Sequence, residues 1–176
     1  LIYSDLSKFS STFYHEIGDI RDLEKLNQSI NSFKPDIVFH LAAQALVIDG
    51  YKKPVETWET NLIGTLNLLE STKKLNHCAV VCITTDKVYK NKNWDFGYRE
   101  IDELGGEDPY SASKAASEIL ISSWRSSYAV SKNHNLSISS ARAGNVIGGG
   151  DWADNRIVPD IYKALYNDKE IIIRNP

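Results

Sequence analysis

Methionine is absent from all 176 residues, so the chain carries no initiator, and Leu1 stands in what reads as the middle of a strand. The chain also stops straight after the apolar run 171–173. Both ends match an internal piece of a longer protein. Cysteine is scarce, with Cys78 and Cys82 the only two. On one strand they stand roughly 13 Å apart, beyond the ~7 Å that a disulfide allows. Free thiols fit a reducing cytosol, and a cytoplasmic location is the expectation. No apolar run approaches the roughly 18 residues of a membrane span and no secretory leader is visible, so no membrane partner is expected. Long basic runs are missing and the net charge is −3, which argues against a nucleic-acid partner. No His, Cys, Asp and Glu spacing resembles a metal site. The length suffices for one sizeable core and is short for a two-domain enzyme.

What is present alternates between two periods. Residues 1–5 read as a strand end. Over 22–33, Leu23, Leu26, Ile30 and Phe33 form a helical stripe. Residues 36–43 are an almost continuous apolar run, as in a strand covered on both faces. Residues 54–75 predict a long helix, with Pro54 near its start and Lys73 and Lys74 near its end, matching the helix dipole. Residues 79–85 predict the next buried strand. The stretch 90–108 is polar and aromatic with Gly97, Gly105 and Gly106, a long loop. Asp108 then caps a helix that begins with Pro109 and runs to about Tyr128. A strand is expected at 136–143, a break at Gly148-Gly149-Gly150, a last helix at 156–166 and a final strand at 170–174. Strand, crossover helix and strand in repetition predict an α/β fold with a doubly wound parallel sheet. Such sheets bind ligands beyond the carboxyl ends of their strands, where Ala42-Ala43, Thr85-Asp86-Lys87 and Gly144-Asn145 fall.

Thr84-Thr85-Asp86-Lys87 ends the apolar run 79–83, and Asp108-Pro109-Tyr110-Ser111-Ala112-Ser113-Lys114 opens a helix. A hydroxyl, an acid, an amine and a Tyr/Lys pair around one point suit a proton-and-hydride enzyme better than a binding module. A Tyr-x-x-x-Lys match is weak alone, because Tyr128 and Lys132 form a second one. On one helix the two tyrosines stand about 27 Å apart, so they cannot serve one site. Tyr110 has the better context: it lies in the first helical turn, and Lys114 follows on the same side. An ammonium there favours the phenolate. The bland reading of Thr85-Asp86-Lys87 is an ordinary turn after a strand. His40, inside an apolar strand, reads as a hydrogen-bonded core residue, and Trp58, Trp94 and Trp124 read as packing.

In order along the chain, Asp19-Ile20-Arg21-Asp22, His40-Leu41-Ala42-Ala43-Gln44, Asn61-Leu62-Ile63-Gly64-Thr65 and the Thr85/Tyr110/Lys114 set carry a resemblance. The chain resembles the extended short-chain dehydrogenase/reductase family, in its nucleotide-sugar 4,6-dehydratase branch, over essentially its whole length. Two features are similar to the members that act on CDP-glucose. One is Thr85-Asp86-Lys87, where dTDP-glucose dehydratases carry Thr-Asp-Glu; the other is Gly144-Asn145-Val146-Ile147-Gly148-Gly149-Gly150-Asp151-Trp152-Ala153. Trp94, Gly97-Tyr98-Arg99-Glu100 and Gly105-Gly106 resemble those members as well. The resemblance implies a Rossmann-like NAD-binding domain over residues 1–147, without its first strand and Gly-x-x-Gly-x-x-Gly loop. It implies the start of a nucleotide-sugar-binding domain over 148–176.

By the same resemblance the cofactor is NAD, and the reaction is dehydration of CDP-glucose to its 4-keto-6-deoxy derivative by internal hydride transfer. Tyr110 takes the O4 proton, Thr85 hydrogen-bonds that oxygen and Lys114 holds the phenolate and nicotinamide ribose. Lys87 removes the C5 proton as a neutral amine, which requires desolvation or nearby cations, and Asp86 protonates the departing 6-hydroxyl. Asp5, Asp19, Ile20, Leu41, Ala42, Ala43, Gln44, Asn61, Thr84, Tyr110 and Lys114 are the implied NAD ligands, with Asp19 and Ile20 reading the adenine. Thr85, Asn145, Arg156 and Pro159 are the implied substrate ligands, with Arg156 toward a phosphate. Pairing through the helices near 54–75 and 110–128 implies a homodimer or higher homo-oligomer. Alternatives are an epimerase, a dehydratase of another nucleotide, or a catalytically idle NAD-binding scaffold. The Asp86-Lys87 pair argues against an epimerase; Tyr110 and Lys114 argue against an idle scaffold.

Overall fold

The computed structural model describes residues 13–129 and 135–173, so the strand end expected at 1–5, Asp5 and Lys132 lie outside the described residues. Two compact units result: Ile17–Gly144, and the described parts of Leu1–Glu16 with Asn145–Pro176.

In the larger unit the Asp22 carboxylate accepts from the Lys25 amide and starts helix α1 (Leu23–Phe33). Strand β1 (Ile37–His40) follows. A short helix that the sequence did not announce, α2 (Val47–Lys52), precedes α3 (Pro54–Trp58). A π-turn at Glu59–Ile63 joins α3 to α4 (Gly64–Thr72). The uniform helix expected at 54–75 is therefore interrupted by a wider turn and stops at Thr72. The cause sits at Asn61, whose carbonyl accepts the Thr65 hydroxyl at 2.6 Å and the Ser117 hydroxyl at 2.9 Å. Side chains that occupy a helical carbonyl bend the ladder there.

Strand β2 (His77–Thr85) leads to helix α5 (Pro109–Trp124), which closes in a second π-turn at Arg125–Ala129. Strand β3 (Asn135–Ala143) completes a parallel sheet of order β1-β2-β3. The register sets His40 beside Cys82 and Thr85 beside Ala143, so all three strands end at one edge. Cys78, Val80 and Cys82 alternate onto one face of β2 with Leu136 and Ile138 of β3. Ile30 of α1, Leu68 and Leu69 of α4 and Ile121 of α5 cover that face. Burying Leu69 or Ile121 contributes about 1.5–3 kcal/mol each.

The other face is open among the described residues: Ile37 is 58% and Phe39 64% exposed. This corrects the expected two-sided burial of 36–43. An apolar run records which residues avoid water, whereas the cover depends on layers outside the run.

The smaller unit holds α6 (Ile157–Tyr166). Trp152 packs edge-on against Tyr162 at 5.5 Å, and Lys163 Nζ donates to the Trp152 carbonyl at 2.7 Å. The strand expected at 170–174 does not form over 170–173, and Arg174 lies outside the described residues. Isoleucines favour a strand only where a neighbouring strand supplies ladder bonds, and none of the described strands pairs with this segment.

Candidate active site

At the carboxyl edge of β2 the Thr85 hydroxyl donates to Asp86 Oδ1 at 3.1 Å and accepts from the Lys87 amide at 3.4 Å. This cap starts one 3-10 turn, Asp86–Val88, anchored by the fully buried Val88. Lys87 Nζ lies 3.1 Å from the same Asp86 oxygen, with the lysine side chain 43% and the carboxylate 54% exposed. The two groups assigned as base and acid are thus already paired, at a water-accessible edge.

Helix α5 begins where Asp108 Oδ1 accepts the Ser111 amide at 3.0 Å, with Pro109 in the first turn. Tyr110, half-buried, therefore sits in that turn. Two glycines let other backbone approach it. A Cβ on Gly106 would lie 2.3 Å from the Ser111 carbonyl carbon, and one on Gly50 would lie 3.3 Å from the Tyr110 amide nitrogen. Lys114, one turn on and 6% exposed, donates from Nζ to the Ile83 carbonyl at 3.0 Å. Burial pulls its pKa down, against the neighbouring Cys82 and Glu118, which favour the charged form. Lys114 therefore fastens the Tyr110 helix to the strand that ends in Thr85.

The turn after β1 is built by Asn61, whose side chain is fully buried. Its Oδ1 accepts the Gln44 amide at 2.8 Å; its Nδ2 donates to the Gln44 carbonyl at 3.1 Å and to Ser113 Oγ at 2.9 Å. Asn61 thus holds the backbone of the turn and, through Ser113, the helix between Tyr110 and Lys114. Leu41 is 68% exposed and Ala42 is exposed, while Ala43 and Gln44 are half-buried. Gln44 Nε2 donates to Thr57 Oγ1 at 2.9 Å. His40 is buried against Thr65 Oγ1 at 2.9 Å. Because the Thr65 proton goes to the Asn61 carbonyl, His40 Nε2 is the donor in that contact. Burial lowers the His40 pKa to about 4, with the Lys114 charge adding to the effect.

Asp19 is clasped by Arg21 through both the backbone amide and the guanidinium, which lowers its pKa to about 2. Ile20 packs on Gly64, where a Cβ would meet its Cγ2 at 2.6 Å, and the Ile20 carbonyl accepts from Asn67 Nδ2 at 3.2 Å. Thr84 is buried and its hydroxyl donates to Glu118. Thr85, Asp86, Lys87, Tyr110, Lys114 and the Leu41–Gln44 turn all belong to the larger unit. Asn145, Arg156 and Pro159 belong to the smaller one, where Arg156 Nη1 meets Asp151 at 2.8 Å and Pro159 is buried. The second tyrosine motif serves packing: Tyr128 tilts against Trp124 at 4.7 Å under Lys73 Nζ at 4.2 Å.

The family model described as GDP-mannose 4,6 dehydratase matches residues 2–167. The chain belongs to that family. The CDP-glucose 4,6-dehydratase of Salmonella typhimurium is 49% identical over 176 residues, which cover 98% of this chain and 49% of the relative. The chain of this GDP-mannose 4,6 dehydratase family member thus spans about half that protein's length. Among solved structures, UDP-glucose 4-epimerase of Thermotoga maritima, with UDP-glucose, superposes with a TM-score of 0.79 at 25% identity. The match covers 90% of this chain and 50% of the other. UDP-glucose 4-epimerase of Thermus thermophilus, in complex with NAD, gives 0.68 at 33% identity over 78% and 43% of the two chains. The fold is the Rossmann-like parallel α/β sheet expected from the sequence.

In this dehydratase-family chain sequence reasoning passed over Glu118, Arg142, Ser113 and Ser117. Glu118 carried a signal, since it lies four residues after Lys114 and so on the same helical face. Arg142 carried none: a basic residue inside a strand is visible as an ion-pair partner only when the facing helix is in place.

Proposed function

We propose that the whole protein is an NAD-dependent nucleotide-sugar 4,6-dehydratase acting on CDP-glucose, with its NAD-binding part in residues 1–147 and the start of its sugar-nucleotide part at 148–176. The observation that carries this reading is the Lys114–Ile83 bond, which fastens a Tyr-x-x-x-Lys helix to a strand ending in Thr-Asp-Lys. The 49% identity to the Salmonella CDP-glucose enzyme supports the nucleotide.

The residues suit NAD. The turn after β1 offers exposed Leu41 and Ala42 on a backbone that Asn61 holds from beneath, a firm apolar floor beside the strand ends. Asp19 and Ile20 are the adenine-side residues in this reading, and Lys114 the ribose-side one. When bound, NAD⁺ supplies a hydride acceptor for C4 and gives the hydride back at C6.

Tyr110 as phenolate accepts the O4 proton while Thr85 hydrogen-bonds that oxygen, and the ketone so formed acidifies the C5 proton. Lys87 takes that proton, Asp86 gives one to the departing 6-hydroxyl, and water leaves. Lys87 then returns its proton to C5 as C6 is reduced. The two side chains meet at 3.1 Å, which keeps the proposed acid and base side by side at the strand end.

The exposed Val55, Ile63 and Ile119 on α3, its π-turn and α5 support pairing of two copies through these helices. A cytoplasmic location agrees with the two free buried cysteines, and no described helix is long and apolar enough to cross a membrane. A second reading, a 4-epimerase, draws on the Thermotoga likeness; an epimerase has no use for an acid/base pair after the threonine. Incubation with CDP-glucose and, separately, dTDP-glucose, followed by mass spectrometry, decides between them. Loss of one water from CDP-glucose alone supports the proposal; an isobaric product without water loss supports the epimerase.

A further inference from the structure

Glu118 is a buried carboxylate that the proposed chemistry leaves unused. It is 5% exposed, and from α5 it takes bonds from both β2 and β3. Its Oε1 accepts the Thr84 hydroxyl from the end of β2. Its Oε2 accepts Ser140 Oγ at 2.9 Å and Arg142 Nη2 at 3.0 Å, both from β3. Arg142 in turn donates from Nη1 to Tyr89 Oη at 2.9 Å and to the Glu100 carbonyl at 3.0 Å, and its guanidinium stacks on the Tyr89 ring at 4.9 Å. The loop between β2 and α5 is thereby tied to the same carboxylate.

Lys114 and Glu118 lie one turn apart on α5 and reach consecutive residues of β2, the Ile83 carbonyl and the Thr84 hydroxyl. Two side chains at one helical spacing bonded to two successive strand residues fix both the slide and the rotation of the helix on the strand. Burial alone would raise the Glu118 pKa, but the bonds from Arg142, Thr84 and Ser140 outweigh it and hold the group ionised. Stability is a weak reason for such a pair, because apolar residues of similar volume commonly replace a buried ion pair at no loss. Geometry is the stronger reason. Tyr110 and Lys114 come from the helix, whereas Thr85, Asp86 and Lys87 come from the strand end, and the two sets share one substrate in the proposed reaction.

We propose that Glu118 with Arg142 is a positioning pair, setting the register of the Tyr110/Lys114 helix against the Thr85–Lys87 strand end. The link to turnover rests on the proposed dehydratase reading; the register itself does not. The test compares the whole wild-type protein with Glu118→Met/Arg142→Met, in which both charges are removed together. Melting temperature, amide exchange of residues 84–88 against 78–82, kcat and KM are read side by side. The double variant is expected to melt within a few degrees of wild type and to exchange faster at 84–88 only. Its kcat should fall at least tenfold with KM within about twofold, as for misplaced reacting groups. A folded double variant with wild-type exchange at 84–88, or with wild-type kcat, overturns the proposal. Glu118→Gln, which keeps the side-chain volume, carries the same readouts if the double variant does not fold. A wild-type protein that releases no water from CDP-glucose sinks the dehydratase reading instead, and the exchange comparison still decides the register.

Discussion

Asp86 and Lys87 show how much chemistry two neighbouring side chains can hold. In the proposed reaction they act as acid and base, and their side chains meet at 3.1 Å at the carboxyl edge of β2. Lys87→Ala is expected to retain 4-keto formation but to slow water loss from CDP-glucose by about 100-fold, and to stop solvent deuterium entering C5 of the product by mass spectrometry. Unchanged water loss would remove Lys87 from the base role. His40 makes a different prediction at the same scale. Its pKa falls from an ordinary 6.5 to about 4 on folding, so between those values the unfolded chain binds more protons than the folded one. Its contribution is complete above pH 6.5 and is lost as pH falls through 4, an effect of about 3 kcal/mol. Urea unfolding of wild type and His40→Gln at pH 7 and 4.5 should show a larger loss in the wild type. All three residues were legible in the sequence, Asp86-Lys87 as a motif and His40 as a core histidine. The tautomer of His40 was not, because it depends on where Thr65 sends its proton.

Elements were readable where local chemistry sets their ends. Asp22 and Asp108 cap helices through their own side chains, and Pro54 and Pro109 stand in first turns. These interactions span three residues or fewer and survive in any context. The π-turn at Asn61 was not readable, because one of the two hydroxyls on its carbonyl is that of Ser117, 56 residues away. Helix α2 escaped for a related reason: it contains Gly50 and has no side-chain cap, so its support comes from packing near Tyr110. The loop before α5 depends on Gly106, where any Cβ would collide with the backbone of Ser111 and Ala112. Gly106→Ala is expected to cost about 1–3 kcal/mol in thermal or chemical unfolding and to depress kcat through the displaced Tyr110 turn. Wild-type stability and kcat in that variant would mean the loop yields freely. Asp108→Ala, which removes the cap alone, should cost about 1 kcal/mol.

At the scale of the molecule one covered sheet face bears the load. Leu69 is fully buried at its centre, and Leu69→Ala should destabilise the protein by about 2–5 kcal/mol in urea unfolding. A cost under 1 kcal/mol would show that the surrounding helices collapse onto the space. Ile119 is 61% exposed on α5, so a charge there costs the single chain little. Ile119→Glu should therefore separate paired copies into monomers by sedimentation without a fall in melting temperature beyond the loss of pairing. An unchanged sedimentation coefficient would place any interface elsewhere.

Most strands and helices, the caps and the Thr-Asp-Lys and Tyr-x-x-x-Lys motifs were written locally, in spacings of a few residues that act before the chain is compact; α2 and the irregular segment 170–173 were not. Only folding could bring Lys114 to the Ile83 carbonyl, Asn61 to Gln44 and Ser113, and Arg142 to Glu118. Those contacts cross 17 to 52 residues of chain, and a hydrogen bond at such a distance has no signature in composition or period. Its partners become identifiable once packing has removed water from both.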